Sequence, residues 1–392
     1  MSWSLWLSIL LILSPLLLGG YAYAGYPMSL RVLRRLRPAR VGAHYRDEDL
    51  PPITITLPAY NEEARLAGAI DAILAAGYPE DRRRIVVISD ASTDATDDIA
   101  RSYAAHGVEL LRMPERLGKT AAENASRAVV QGPIVVNTDA SVRIAPGALP
   151  ALIRVFADPT IGVASGHDVS VGSEQAVNNA GESSYVGYEM DIRSLETEID
   201  GIVGASGCFF AIRRELHAVH LPESLSRDFA SALVAREHGF RAVSVPEARC
   251  FVPRTGSLLS EYRRKIRTMA RGLRTLWFKR ALLLPWRYGF FAFALWSHKV
   301  ARWLVYPAAV VSGATITALA ISHDWARALL ALTALGTMCG AFAMRRVEHG
   351  FSGPFVRTIG FAYAANLAGI LAWWEFLRGG QLAIWEPTRR PG

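Results

Sequence analysis

From Trp3 to Ala24 the chain carries no charge for 22 residues. At roughly 1.5 Å of rise per residue, a helix of that length reaches across the hydrocarbon core of a bilayer. In hydrocarbon the backbone polar groups must be satisfied without water, and a helix does so within a single run. Two fates are open to it. Ala22-Tyr23-Ala24 looks like a signal-peptidase site, which would make the run a cleaved leader. No Lys or Arg precedes the run, however, and Arg31, Arg34, Arg35, Arg37 and Arg40 follow it with no acid among them. That asymmetry favours an uncleaved anchor, with the N-terminus outside and the arginines on the cytoplasmic face.

The rest of the chain is uneven in the same way. Apolar residues make up 51% of the whole and charged residues 20%, and the apolar excess gathers at the two ends. Trp303 to Ile321 and Trp325 to Met344 read as two further spans, joined by Ser322-His323-Asp324. Arg345, Arg346 and Arg357 bracket the next loop and place it in the cytoplasm. Thr358 to Phe376 is apolar but rich in small residues, and either crosses, lies in the interface or re-enters. Ala281 to Trp296, interrupted by Pro285, Trp286 and Arg287, reads as an interfacial helix. Three or four spans are expected, in a multi-pass protein of the cytoplasmic membrane. Arg263 to Arg280 holds eight bases and no acid, which suits lipid headgroups. No aromatic-interleaved basic module is present, so nucleic acid is not an expected partner. Cys208, Cys250 and Cys339 lie far apart without metal-ligand spacing and read as reduced thiols.

Between the apolar ends lies an ordinary globular composition. Ile53 to Leu57, Ile85 to Ile88, Val108 to Leu111 and Ile134 to Val136 are short apolar runs suited to buried strands. Helical patterns separate them, at Glu62 to Ala76, Asp94 to Ala105 and Lys119 to Val130. Strands alternating with helices imply an α/β fold with a parallel, doubly wound sheet. Ligands of such sheets sit beyond the carboxyl ends of the strands. Polar turns occur at those ends: Pro58-Ala59-Tyr60-Asn61-Glu62, Ser89-Asp90-Ala91-Ser92-Thr93-Asp94 and Thr138-Asp139-Ala140-Ser141. Singly, each has a bland explanation. Glu62 favours a helix N-terminus, Ser92, Thr93 or Asp94 caps the next helix, and Asp139 is a turn residue. Three carboxylate-bearing turns at one sheet edge are harder to attribute to folding alone.

These turns resemble, in order, the opening signature, the aspartate-rich second turn and the Asp-x-Asp element of family 2 glycosyltransferases, with Ser89, Ala91 and Ser141 where Asp, Gly and Asp are commoner. Gly118-Lys119-Thr120-Ala121-Ala122-Glu123-Asn124 resembles the family's Gly-Lys helix start. Gly204-Ala205-Ser206-Gly207-Cys208 and Arg213-Arg214-Glu215 resemble its acceptor-side segment, and Asp228-Phe229 its base-bearing segment. The resemblance implies a GT-A (Rossmann-like) cytosolic domain between N- and C-terminal transmembrane helices. It further implies an inverting transferase with a nucleotide-sugar donor, UDP-linked, and a lipid or growing glycan as acceptor. Pro58, Ala59, Tyr60, Glu62, Asp90 and Lys119 are then donor-binding, and Asp139 holds Mg²⁺ or Mn²⁺ against the donor diphosphate. Gly207 and Cys208 face the acceptor, and Asp228 is the catalytic base. The bland reading of Asp228 is a cap for a helix from Phe229 to His238.

Leu258 to Phe278 is amphipathic at 100° per residue. Ile266, Met269, Ala270, Leu273 and Trp277 share one side, and Arg264, Arg267, Arg271 and Arg274 another. Membrane polysaccharide synthases of the hyaluronan, chitin and cellulose kind carry Gln-x-x-Arg-Trp in such a helix. Here the residues are Arg264-Lys265-Ile266-Arg267-Thr268, so Arg267 matches the arginine, a diphosphate contact, and Thr268 replaces the tryptophan. Trp385-Glu386-Pro387-Thr388-Arg389-Arg390 is similar to the cytosolic tail of some such synthases. The expected organisation is an anchor over residues 1–25 and a basic linker over 26–50. A transferase domain follows over 51–256, interfacial helices over 257–300, membrane helices over 301–378 and a tail over 379–392. Membrane lipids are expected partners, as are accessory proteins of a secretion complex. Two other classes stay open: a non-catalytic nucleotide-binding membrane protein of a glycan secretion complex, and a transporter with an appended domain. Against the transporter, no intramembrane charged pair stands out.

Overall fold

The computed structural model describes residues 3–36, 42–171, 180–253, 258–350 and 353–379. In chain order, α1 (Trp3–Gly20) and α2 (Tyr26–Leu36) are joined by a π-helical turn over Tyr21–Gly25. Then come β1 (Ile53–Ala59), α3 (Leu66–Leu74), β2 (Arg83–Ser89), α4 (Thr96–Ser102), β3 (Val108–Arg112), α5 (Lys119–Ala125) and β4 (Ile134–Thr138). Next are β5 (Arg143–Ile144), α6 (Ala148–Arg154), β6 (Ile161–Val171), α7 (Ala180–Ile199), β7 (Phe209–Arg213), α8 (Arg214–His217), α9 (Arg227–Glu237) and β8 (Arg241–Pro253). Last are α10 (Leu258–Phe278), α11 (Pro285–Leu295), α12 (Ala301–Leu319), α13 (Asp324–Glu348) and α14 (Pro354–Leu377). Two compact units result, one formed by Leu33–Arg254 with Arg274–Leu282, the other by Met1–Val32, Thr255–Leu273 and Leu283–Gly380.

The first unit is built on a sheet of eight strands among the described residues, in the order β3-β2-β1-β4-β7-β6-β8-β5. β1, β2, β3 and β4 are parallel, as their apolar runs and intervening helices predict. Successive side chains on a strand point to opposite faces. Ile85 and Val87 therefore pack with Leu66, Ile70 and Ile73 of α3, and Val86 and Ile88 with Ala121 and Ala122 of α5. The second half departs from the all-parallel expectation. β7 runs antiparallel to both β4 and β6, and β5 antiparallel to β8. The sheet is thus mixed, and α9 closes its face through Ala230, Ala232 and Val234 against Val135, Val163 and Phe210.

In the second unit, α11 begins at Pro285, a residue suited to a first helical turn because its missing N–H would have no partner there. Among the described residues three helices are long and apolar enough to cross a membrane: Trp3–Leu36, Asp324–Glu348 and Pro354–Leu377. Residues 26–36, expected as linker, continue the first of these as α2. The segment at 303–321, expected as a span, forms α12, which has Arg302 in its first turn and Pro307 within it and is not among the three. The small residues of α14 have a packing reason. A Cβ on Gly369 would meet the Tyr306 ring at 2.2 Å, and one on Gly360 the Ala343 backbone at 3.2 Å. Small residues let helix backbones approach closely. On α10, Arg271 is buried and Trp277 is exposed. The tail motif at 385–390 lies outside the described residues.

Candidate active site

Because β1, β2 and β4 are parallel, the turns that follow them emerge at one edge. Ala59 pairs with Ser89, and the Asp90 N–H donates to the Ala59 carbonyl at 2.9 Å. Beyond that edge lies a pocket lined by Pro58, Ala59, Tyr60, Glu62, Asp90, Lys119, Ala122, Asp139, Ala140 and Ser141. Every residue assigned to the donor from sequence is in this lining except Arg267. That residue is on α10, in the unit that holds the apolar helices.

The first two turns are knit to each other. The Thr93 N–H donates to Asn61 Oδ1 at 2.8 Å, the Glu62 N–H to Thr96 Oγ1 at 2.8 Å, and the Ala95 N–H to Glu63 Oε2 at 3.0 Å. Asp94 accepts from the Thr96 N–H at 3.0 Å, but the N-cap position of α4 is Ala95, so Asp94 sits one residue before the cap. Ala91 sits at φ +57°, a left-handed conformation that costs an L-residue roughly 1–2 kcal/mol. Asp90 is buried, and its two oxygens accept from the Leu117 and Gly118 N–H groups at 2.8 Å each. It thereby fixes the loop that starts α5, where Gly118 takes φ +92°. Arg116 of that loop stacks over the Tyr60 ring, 3.9 Å from its centroid, at the rim.

Lys119 is the hub. Its Nζ donates to Asp139 Oδ1 at 2.5 Å and to the Gly207 carbonyl at 2.9 Å. Burial works against its charge, but Asp139, Glu123 and Asp228 together raise its pKa above the usual lysine value. Gly207 leads to the candidate base, since a Cβ on that glycine would lie 2.8 Å from Asp228 Oδ2. Asp228 stands one residue inside α9, and its Oδ1 accepts from Ser226 Oγ at 2.6 Å. The Lys119 ammonium group therefore joins the pocket to Gly207, and Gly207 adjoins Asp228. Cys208 follows Gly207 and is half-buried, its N–H donating to Ser206 Oγ at 3.1 Å. Arg213-Arg214-Glu215 do not belong here. β7 runs antiparallel to β4, pairing Phe209 with Thr138 and Arg213 with Ile134, which carries that trio to the opposite edge.

Two acids beside the site were not assigned a role from the sequence, Glu123 and Asp168. Glu123 is 1% exposed and neither of its carboxylate oxygens has a hydrogen-bond partner. Burial pushes its pKa up, against the pull of Lys119 and Arg227. The i, i+4 spacing from Lys119 on α5 was the available clue. Asp168 on β6 accepts from Ser206 Oγ at 2.6 Å, next to Gly207, and burial raises its pKa too. Its strand carried no legible motif.

Asp139 and Ser141 present hard oxygen donors on one pocket wall. No group of three or more His, Cys, Asp or Glu placed to hold a metal occurs among the described residues. Mg²⁺ sites commonly use one or two carboxylates completed by substrate phosphates and water, and this donor set fits that form and not an all-protein cage.

Residues 54–221 match the model described as glycosyl transferase family 2. A solved mannosyltransferase from Pyrobaculum calidifontis, determined in complex with GDP-Man and Mn²⁺, superposes with a TM-score of 0.69 at 24% identity, over 94% of this chain and 99% of that one. At that identity it establishes the fold. An uncharacterized protein of Mycobacterium tuberculosis is 34% identical over 114 residues, 29% of this chain and 35% of the relative. The beta-monoglucosyldiacylglycerol synthase of Synechocystis sp. is 30% identical over 116 residues, 29% of this chain and 24% of the relative. The matched region thus spans about a third or less of these curated relatives. With the matched residues enclosing the pocket, residues 54–221 form a family 2 glycosyl transferase domain on a GT-A-like mixed sheet.

Proposed function

We propose that the protein is an inverting glycosyltransferase, moving a sugar from a nucleoside-diphosphate donor to a lipid acceptor at the cytoplasmic face of a membrane. The observation that carries this reading is the Lys119 cluster, which ties the carboxylate-lined pocket to Asp228 through Gly207. The nucleoside lies between Tyr60, Glu62 and Asp90. The diphosphate lies by Lys119, whose raised pKa keeps it cationic at any physiological pH. A Mg²⁺ or Mn²⁺ held by Asp139 and Ser141 would add positive charge against the diphosphate leaving group. Asp228 takes the proton of the acceptor hydroxyl as that oxygen attacks the anomeric carbon from the face opposite the leaving group, which inverts the centre.

Three long apolar helices favour a lipid acceptor, and one curated relative is named for a glucosylated diacylglycerol. Thr268, in place of the tryptophan of processive synthases, favours a single transfer over polymerisation. A donor screen on the detergent-purified chain with membrane lipid extract tests the proposal. A labelled product that runs as a glycolipid is expected. A long polymer would contradict the single-transfer reading, and tight nucleotide binding with no turnover of any donor would point to the non-catalytic alternative.

A further inference from the structure

Behind the pocket lies a buried charged layer with no part in the chemistry above. Glu123 projects from α5 one turn after Lys119, and its Oε2 is 3.8 Å from Arg227 Nε. Arg227 is 4% exposed and immediately precedes Asp228. Its Nη1 donates to Asn124 Oδ1 at 2.8 Å, and its Nη2 to the His217 carbonyl at 2.8 Å and to His217 Nδ1 at 3.2 Å. An arginine is always a donor, so Nδ1 is the accepting nitrogen, and the N–H at Nε2 is left to donate to Ser126 Oγ at 3.0 Å. Burial, reinforced by Arg227 and Arg127, holds the His217 pKa well below its usual value, in keeping with this neutral tautomer. One guanidinium thus locks α5, α8 and the first turn of α9 together. Glu123 is its ion-pair partner among the described residues, and that carboxylate makes no hydrogen bond that would explain its burial otherwise.

A lone buried carboxylate is costly, and removing one partner of a buried pair is more damaging than replacing both. A couple placed between the diphosphate lysine and the base has a reason to persist. We propose that Glu123 and Arg227 are positioning residues, a buried charge couple that holds Asp228 in register with Lys119 across the pocket. The inference rests on Asp228 being the base. Glu123 is anchored on α5 one turn from Lys119, Arg227 sets the backbone one residue before Asp228, and their mutual attraction fixes the separation between α5 and the start of α9.

The test uses the full chain in detergent, with three readouts. They are turnover of the nucleotide-sugar donor as nucleoside diphosphate released, UDP and GDP affinity by calorimetry, and thermal melting. Glu123→Gln keeps the shape of the side chain, and Arg227→Lys keeps the charge while losing the forked bonds to Asn124 and His217. Each should lower kcat at least tenfold, with donor KM and nucleoside-diphosphate affinity within threefold of wild type. A merely structural role would instead lower kcat, affinity and melting temperature together, and that pattern overturns the proposal. Asp228→Asn separates this inference from the one it rests on. If Asp228→Asn is inactive while Glu123→Gln and Arg227→Lys keep kcat within threefold, the base stands and the couple is overturned. If Asp228→Asn turns over at the wild-type rate, both are overturned.

Discussion

Gly207→Ala perturbs the site at its most sensitive point. The added Cβ would stand 2.8 Å from Asp228 Oδ2 and 3.5 Å from its Cγ, where ordinary contact begins at 3.4 Å. The carboxylate must therefore retreat by about 0.6 Å. A 1 Å misplacement of a reacting group costs on the order of a hundredfold, so the retreat should lower kcat by roughly tenfold or more, about 1.4 kcal/mol. Stability should suffer less. At worst the Ser226 hydrogen bond to Asp228 is lost, about 1 kcal/mol, which moves the melting temperature by only a few degrees. Gly207 is not in the pocket lining, so nucleoside-diphosphate affinity should stay within threefold. Gly187→Ala, where an added Cβ meets nothing within 4 Å, is the control. Initial rates at saturating donor, with calorimetry of UDP and GDP, measure the separation. An alanine at 207 with wild-type kcat would refute the placement of the base against this glycine.

Other outcomes follow from the same geometry. Ala91→Gly relieves the left-handed strain at φ +57° and, after the extra entropy of glycine in the unfolded chain, should gain about 0.5 kcal/mol, read as a higher urea midpoint. Asp90→Asn leaves one acceptor oxygen for two amides, so either the Leu117 or the Gly118 N–H is orphaned. A stability loss of about 1–3 kcal/mol and weaker nucleoside-diphosphate binding should appear in melting and calorimetry. Burial opposes ionisation of Asp158, but bonds from Thr160 and Arg241 outweigh it and lower its pKa below the unfolded 3.8. Its contribution is present above that value and lost as pH falls below it. The stability gap between wild type and Asp158→Asn should therefore be smaller at pH 3 than at neutral pH, measured by urea unfolding at both.

The donor side of the site was legible because its chemistry is local. Most residues assigned to the donor stand at the ends of apolar runs that read as buried strands, and parallel pairing brings those ends to one edge; Lys119 starts α5 and Arg267 lies on α10. Asp228 was legible only through resemblance, since nothing in its own neighbourhood separates a base from a helix cap. The partners of the site were hidden for a different reason. Glu123 and Arg227 are 104 residues apart, and Gly207 and Lys119 meet only because β7 is antiparallel. No periodicity encodes such pairings. The same reversal misled the sequence reading of Arg213-Arg214-Glu215, which adjoin Gly207 in the chain but lie a full strand away. In the apolar half, the small residues of α14 were visible, but their cause, Tyr306 and Ala343 on neighbouring helices, was not.

The central claim is that one pocket binds a nucleotide sugar and that Asp228 activates the acceptor beside it. Asp139→Asn and Asp228→Asn, assayed side by side on the folded chain with a panel of nucleotide sugars, test it most directly. The expected result is that both abolish transfer, Asp228→Asn while leaving nucleoside-diphosphate binding intact. Full transfer by both variants would contradict the account.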